Sequence, residues 1–228
     1  MLTSAEWQAL GASLVVGTRA VAIGLPLALG AAWLLVRKRF PGRTLLDAVV
    51  HAPLVLPPVV VGYALLLLFG IRGPIGHWLD ASFGTRLVFT SAGASLAAGV
   101  MAFPMMVRAI RLSLEGIDPG LELAARSLGA RPIDRFVSIT LPLALPGIVA
   151  AAIVGFAACL GEFGAIITFA GSIPGETQTL PLAIYSALQT PGGEDTAVKL
   201  ALVSLAVAVT ALVAAEALGR WARRWAAR

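Results

Sequence analysis

The chain has 228 residues, of which 58% are hydrophobic and 13% are charged, and its mean hydropathy is +0.89. About a quarter of the residues of a soluble domain are charged, so this composition excludes an ordinary soluble protein. The net charge of +5 admits a nucleic-acid-binding protein until the charges are placed, and the single cysteine excludes an intrachain disulfide or a cysteine-based metal site.

Five stretches with few or no charges reach the roughly 20 residues that a helix needs to cross the hydrocarbon core of a bilayer. In chain order they are residues 14–36, 48–71, 87–107, 136–160 and 197–218. Pro53, Pro57 and Pro58 must bend the second stretch or delay its start, because proline removes a helical hydrogen bond. We therefore predict an all-α integral membrane protein, a polytopic bundle of about five transmembrane helices in one domain, residues 1–228.

The basic residues are concentrated in three connections on one side of such a bundle. They are Arg37, Lys38, Arg39 and Arg43, then Arg108, Arg111, Arg126, Arg131 and Arg135, then Arg220, Arg223, Arg224 and Arg228. Cytoplasmic loops of membrane proteins carry an excess of Lys and Arg. The pattern therefore predicts an N-terminus outside and a C-terminus in the cytoplasm, and it explains the basic charge without nucleic acid. The first eighteen residues hold no Lys or Arg, so we expect no cleaved signal peptide.

The segment 161–195 between the fourth and fifth stretches allows more than one interpretation. Residues 163–175 are uncharged but too short to cross, so they extend the fourth span or form a re-entrant piece buried against protein. Residues 179–189 predict a short interfacial helix that stops before Pro191, Gly192 and Gly193. A sixth span hidden in this segment is the alternative.

The connection between the third and fourth stretches, residues 115–138, predicts a compact helix–turn–helix. Asp118 is suited to cap a helix that begins at Pro119, Gly129 ends that helix, and Pro132 opens a second one. The apolar positions Leu121, Ala124, Ala125 and Leu128 fall at helical spacing on one side. Such a hairpin either orients the neighbouring spans or forms a docking surface for another protein.

The same segment resembles the coupling loop of ABC-importer permeases, in which Glu-Ala-Ala is followed after three residues by Gly and, after nine more, by Ile-x-Leu-Pro. The matching residues are Ala124, Ala125, Gly129, Ile139, Leu141 and Pro142, with Ala130 after the glycine. Leu123 occupies the glutamate position, and the acid lies one residue earlier as Glu122, about 100° away around the helix. The resemblance implies a type I ABC importer permease fold, in which this coupling loop (residues 115–138) seats in a cleft of a cytoplasmic ATPase.

The chain itself has no sequence for binding ATP. A phosphate-cradling loop requires Gly-Lys followed by Ser or Thr, whereas the two lysines, Lys38 and Lys199, follow Arg37 and Val198. We therefore expect no catalytic residue, no metal site and no cofactor on this chain. ATP and Mg²⁺ are expected on a separate cytoplasmic ABC ATPase dimer.

Beyond the coupling loop, the chain resembles molybdate permeases, most densely between residues 160 and 194. The elements that carry this resemblance are Gly-Glu-Phe-Gly-Ala from Gly161, Ile-Pro-Gly-Glu-Thr from Ile173 and Gln-Thr-Pro-Gly-Gly-Glu from Gln189. The resemblance implies a permease of the bacterial cytoplasmic (inner) membrane that translocates molybdate or the similar tungstate. Sulfate and thiosulfate permeases, which vary in these elements, are the alternative within the family.

The translocation path and its gate are expected near the same segment, because a dianion favours backbone N–H groups and helix N-termini. The candidate gate residues are Gly161, Glu162, Phe163, Gly164, Ala165, Pro174, Gly175, Glu176 and Thr177. A bare carboxylate would repel a dianion, so Glu162 is expected to pair with an arginine or to cap backbone at the gate. The small residues at positions 93–99 of the third stretch favour either close helix packing or the path itself.

The resulting hypothesis is a homodimer with the path between its copies. A cytoplasmic ATPase dimer docks at the coupling loop, and a periplasmic or extracellular molybdate-binding protein docks near residues 73–85 and 171–195. A secondary transporter needs acidic or histidine relays within the spans, and Glu162 is the only good candidate. A membrane-embedded enzyme needs clustered His, Asp and Glu or a nucleophile with a base, and no stretch carries these.

Overall fold

The computed structural model describes residues 2–226, and it describes side chains up to residue 217 except for residues 212, 215 and 216. Within this part of the chain every regular element is helical, as predicted. The helices are α1 (Ser4–Arg37), α2 (Arg43–Val55), α3 (Pro58–Phe69), α4 (Pro74–Phe83), α5 (Ser91–Glu115), α6 (Pro119–Ser127), α7 (Pro132–Arg135), a π-helical turn (Phe136–Thr140), α8 (Leu141–Gly161), α9 (Gly164–Phe169), α10 (Leu180–Leu188) and α11 (Glu194–Ala226).

Three helices of the described residues are long and apolar enough to cross a membrane. They are Ser4–Arg37, Ser91–Glu115 and the continuous helix Pro132–Gly161, which comprises α7, the π-helical turn and α8. Counting α3 and α4 as one span gives a fourth, bent by 47°. The fifth predicted stretch, 197–218, falls in α11, whose side chains are described only in part, and the basic residues from Arg220 onward lie outside the described side chains.

The second predicted stretch, 48–71, is divided into two helices. α2 ends at Val55 and α3 begins at Pro58, while Leu56 and Pro57 adopt extended backbone with ψ of 141° and 136°. A residue before proline is pushed out of the helical region, and neither proline can donate a backbone hydrogen bond. Of the two expected effects, a bend or a later start, the structure shows a complete break followed by a new helix from Pro58, so that one continuous helix over 48–71 does not form.

The segment 161–195 contains two short helices and no sixth span among the described residues. α9 has six residues and is buried against protein at Gly164, Ala165, Ile166 and Phe169. It does not extend α8, because Glu162 and Phe163 between the two helices have non-helical backbone. α10 matches the predicted interfacial helix and ends at Leu188, before the proline and glycines. Each helix is much shorter than the roughly 20 residues that a crossing requires.

Helix α5 lies at the centre of the bundle, packed against α1 and α8. Its side chains Ala94, Ala97, Ala98 and Ala102 are fully buried. Met106 fills the space that two glycines leave, because a Cβ atom at Gly24 or Gly155 would lie 2.7 Å from the Met106 side chain. The small residues of α5 therefore serve helix packing, the first of the two interpretations.

Replacing Gly147 by alanine is expected to lower the unfolding temperature, because the new Cβ atom would overlap Cβ of Ser113 and force α8 away from α5. Overpacking of this kind destabilises by about 1–3 kcal/mol. Gly11→Ala in α1 is the matched control, since a Cβ atom there meets nothing within 4 Å. Alanine favours helix by roughly 0.5–1 kcal/mol over glycine, so this control is expected to raise the unfolding temperature. Thermal unfolding in detergent measures both, and shifts of the same sign would contradict the packing assignment.

Candidate functional site

The coupling loop has the helix boundaries that its sequence predicts. The Asp118 carboxylate caps α6 by accepting the backbone N–H of Gly120 at 2.8 Å. At the other end Gly129 has a φ of +85°, and the N–H groups of Gly129 and Ala130 donate to the carbonyls of Arg126 and Ala125 at 3.0 Å each. This is a Schellman arrangement, which favours glycine at the left-handed position. α7 then begins at Pro132.

The outer face of the coupling loop is apolar and exposed. α6 buries none of its residues, and Leu123 and Leu128 are 63% and 88% exposed. Leu121, Ala124 and Ile133 are exposed as well, whereas Ala125 and Ala130 are half-buried. Exposed apolar side chains grouped around alanines are typical of a surface that another protein covers.

Glu122 faces inward, away from this apolar surface. Its Oε1 atom lies 3.1 Å from a guanidinium nitrogen of Arg37 at the end of α1, and it accepts a 2.9 Å hydrogen bond from the Thr140 hydroxyl. Leu123, which occupies the family's glutamate position, points outward. The structure thus separates Glu122 from the exposed alanine and leucine surface with which the sequence grouped it.

Ile139, Leu141 and Pro142 shape the connection between the coupling loop and α8. Ile139 lies in the π-helical turn, and Leu141 donates its N–H to the carbonyl of Phe136, five residues back. Pro142 directly follows the π-helical turn inside the continuous helix Pro132–Gly161, and it donates no backbone hydrogen bond there. These three residues are half-buried and do not belong to the exposed face.

Glu162 stands at the break between α8 and α9 and is only 9% exposed. Its carboxylate accepts the backbone N–H of Ala165 at 2.8 Å. Of the two expectations for this residue, pairing with arginine or capping backbone, the described residues show the cap. The acid therefore stabilises the start of α9.

The break at Glu162 lies beside the break between α2 and α3. A Cβ atom at Gly164 would lie 2.7 Å from Cβ of Pro58, and a Cβ atom at Gly62 would lie 2.7 Å from the carbonyl oxygen of Ala165. The first turns of α3 and α9 are therefore in backbone contact through two glycines. The sequence marked Gly164 but gave no sign of its partners Pro58 and Gly62, which are far away along the chain.

The remaining predicted gate residues lie in a different place. Pro174, Gly175 and Glu176 are exposed in the loop before α10, where Gly175 approaches Gln8 near the start of α1. Thr177 is fully buried, and its hydroxyl accepts the N–H of Ile173 at 2.9 Å and donates to the carbonyl of Gly171 at 3.2 Å. It holds this loop in shape. The predicted set thus divides into residues 161–165 at the helix break and residues 174–177 in the loop.

Phe163, a member of the first of these groups, contacts helix α10. Its ring is 5.1 Å from the ring of Tyr185 in α10, measured between centroids. This contact connects the helix break with α10, and Gly161 lies at the end of α8, where a Cβ atom would meet nothing within 4 Å.

Residues 24–225 match the family described as binding-protein-dependent transport system inner membrane component. The molybdenum transport system permease protein ModB of Escherichia coli K12 is 55% identical over 228 residues, which is the full length of both chains. The sulfate transport system permease protein CysT of the same organism is 41% identical over 158 residues, 69% of this chain and 57% of that protein.

The fold is also that of a solved ABC importer. A bacterial ABC transporter involved in the import of the polysaccharide alginate superposes with a TM-score of 0.77 at 16% identity, over 96% of this chain and 80% of that one. At this identity the likeness establishes the all-helical permease fold and nothing about cargo. Since the family match and the bacterial relative both extend over nearly the whole chain, this protein belongs to the inner-membrane components of binding-protein-dependent transport systems.

Proposed function

We propose that this chain is the membrane-spanning permease subunit of an ATP-driven importer that carries molybdate across the bacterial inner membrane. The observation that supports this cargo best is the 55% identity to a molybdenum permease over the full length, against a match to a sulfate permease that covers 69% of the chain. The subunit is non-catalytic in this proposal. Its cargo is an anion that passes through, and ATP hydrolysis takes place on a separate subunit.

The ATPase subunit docks on the coupling loop. The support is the apolar surface of α6 and Ile133, because leaving these side chains exposed to water is unfavourable unless another protein covers them. The N-terminus of the chain lies outside and the C-terminus in the cytoplasm, which puts the loop on the side where ATP is available. The basic residues around the loop agree with this orientation.

Two copies of the permease form a homodimer with the path between them, and a molybdate-binding protein docks on the opposite side. The surfaces for that protein are residues 73–85 and 171–195, which include the exposed Trp78 and Phe83. The gate lies at the paired helix breaks, where α3 and α9 begin side by side. The Glu162 carboxylate is directed to the Ala165 N–H at the start of α9, and backbone N–H groups and small residues face the anion at the gate.

The proposed function is tested by uptake of labelled molybdate in cells that lack this chain, with and without its restoration. We expect the chain to restore uptake at low molybdate, tungstate to compete, and sulfate not to compete. Replacing the phosphate-binding lysine of the partner ATPase should abolish the uptake. Loss of sulfate uptake without loss of molybdate uptake would favour the sulfate alternative, and uptake that persists with the inactive ATPase would favour a secondary transporter.

Glu162 is expected to matter as a cap and not as a charge. Glutamine keeps an oxygen that can accept the Ala165 N–H, so Glu162→Gln should retain uptake within about threefold of the wild type. Glu162→Ala leaves this N–H unpaired in a buried place, which costs about 1–3 kcal/mol and should reduce uptake about tenfold. Initial rates of molybdate uptake at matched expression measure both, and equal losses in the two variants would mean that the negative charge itself is needed.

A further inference from the structure

Three elements meet where the coupling loop joins the bundle: the end of α1, the helix α6 and the π-helical turn before α8. The rings of Trp33 and Phe136 lie edge to face, with centroids 6.2 Å apart. Beside them Glu122 contacts Arg37 on one side and Thr140 on the other. All three elements are thus in contact around the carboxylate of a single residue.

The same oxygen of Glu122 serves both contacts. Its Oε1 atom is 3.1 Å from Arg37 and 2.9 Å from the Thr140 hydroxyl, and the two charged side chains are only 17% and 28% exposed. Such partial shielding from water strengthens an ion pair relative to one on an open surface. Any movement of Glu122 therefore displaces Arg37 of α1 and Thr140, the residue before α8, at the same time.

The two contacts differ in kind. The Thr140 hydroxyl donates a directed hydrogen bond, and Thr140 itself is buried. The Arg37 contact is an ion pair whose N–H groups are not aimed at the oxygen. An ion pair depends weakly on angle, so this contact persists while α6 tilts against α1. The hydrogen bond depends strongly on angle, so it fixes Thr140 relative to Glu122 on α6.

The position of Thr140 gives this connection an effect on α8. Thr140 is the last residue of the π-helical turn, in which the carbonyl of Phe136 accepts from Leu141. π-helical turns inside α-helices are rare and are frequently found at functional sites. Holding its last residue on α6 sets where α8 begins relative to the coupling loop.

We propose that Glu122 is a positioning residue that transmits displacement of the coupling loop to α1 through Arg37 and to α8 through Thr140. The inference rests on the proposed function, because the displacement comes from an ATPase docked on the exposed face of α6. Glu122 takes no part in that docked surface. It converts one movement into a joint movement of two spans that both pack against α5.

The chain contains a matched ion pair outside the coupling loop. Asp47 of α2 lies 3.3 Å from Arg111 of α5, with exposures of 40% and 30%. This pair also joins two helices, and its other charge contacts, Arg111 to Glu115 and Asp47 to His51, lie within α5 and within α2. Asp47→Asn therefore removes a comparable charge contact without affecting the proposed transmission.

The experiment compares molybdate transported per ATP hydrolysed in proteoliposomes that contain the full complex of permease and ATPase with loaded binding protein. Glu122→Gln and Arg37→Met should each lower this ratio by about fivefold or more, the range of a typical coupling between sites, while ATP hydrolysis continues. The double variant should lose no more than either single variant, because both remove one interaction. Asp47→Asn should keep the ratio within about twofold.

An unchanged ratio in Glu122→Gln, losses that multiply in the double variant, or an equal loss in Asp47→Asn would each overturn the inference. If one single variant does not assemble, the other and Thr140→Val provide the same comparison. Failure of the ATPase to co-purify with the wild-type chain would instead overturn the proposed function and this inference with it. Normal molybdate uptake with an unaffected Glu122→Gln would overturn the inference alone.

Discussion

Replacing Leu128 by aspartate is expected to detach the ATPase subunit and abolish uptake while the permease itself stays folded. Leu128 is 88% exposed and is the C-cap residue of α6, so the permease makes few contacts with it. In a docked complex its side chain would be buried, and a carboxylate there would lose its hydration without a partner. A hot-spot residue near the centre of an interface contributes about 2 kcal/mol or more, which corresponds to roughly a thirtyfold loss of affinity.

The amount of ATPase that co-purifies with tagged permease measures this effect, together with molybdate uptake. Leu45→Asp is the control, since Leu45 is 69% exposed in the first turn of α2, where an acidic residue is favoured by the helix dipole. Its ATPase content should stay within about twofold of the wild type. Full retention of the ATPase in Leu128→Asp would mean that the exposed face of α6 is not the docking surface.

The local structure of the coupling loop was predictable because each of its signals acts within one helical turn. Asp118 caps the helix that begins at the next residue, and Gly129 supplies the left-handed conformation that ends it. Pro132 likewise opens α7. The cap of Ala165 by Glu162 is also short-range, three residues along the chain, and backbone capping was one of the two roles expected for that acid.

The contacts between distant residues were not predictable in the same way. Arg37 contributed to the prediction only as one of many basic residues, because nothing near it in sequence indicates a partner in α6. Gly164 was marked by its glycine-rich motif, whereas Pro58 was noted only as a helix breaker. Hydrophobicity and charge decide which segments cross the membrane, but the neighbour of each helix depends on how side chains of the whole bundle fit together.

The division of the gate residues has the same origin. A motif that is continuous in sequence suggests a single site, yet α9 and the following turn carry residues 174–177 away from Glu162 to a loop beside the start of α1. Gly171 and Gly175, with φ of +70° and +80°, let the chain reverse there. Glycines in this segment therefore serve two purposes, close helix contact at Gly164 and turn formation further along.

Gly164→Val is expected to reduce molybdate uptake at least about tenfold without releasing the ATPase. A Cβ atom at this position would lie 2.7 Å from the rigid Pro58 ring and 3.3 Å from the Val59 nitrogen, so α9 would have to move away from α3. Overpacking against backbone costs about 1–3 kcal/mol, and 1.4 kcal/mol is about a factor of ten. If the paired breaks form the gate, the valine side chain would keep α9 displaced from α3 and would prevent the gate from moving normally.

Gly161→Val, three residues earlier, separates the effect of this contact from that of replacing a glycine near the gate. A Cβ atom at Gly161 meets nothing within 4 Å, so its loss of uptake should be clearly smaller than that of Gly164→Val. Uptake, ATP hydrolysis and ATPase content are measured on both variants at equal expression. Equal losses in the two would show that the glycines matter for a reason other than the contact between α3 and α9, whereas normal uptake in Gly164→Val would remove the paired breaks from the gate.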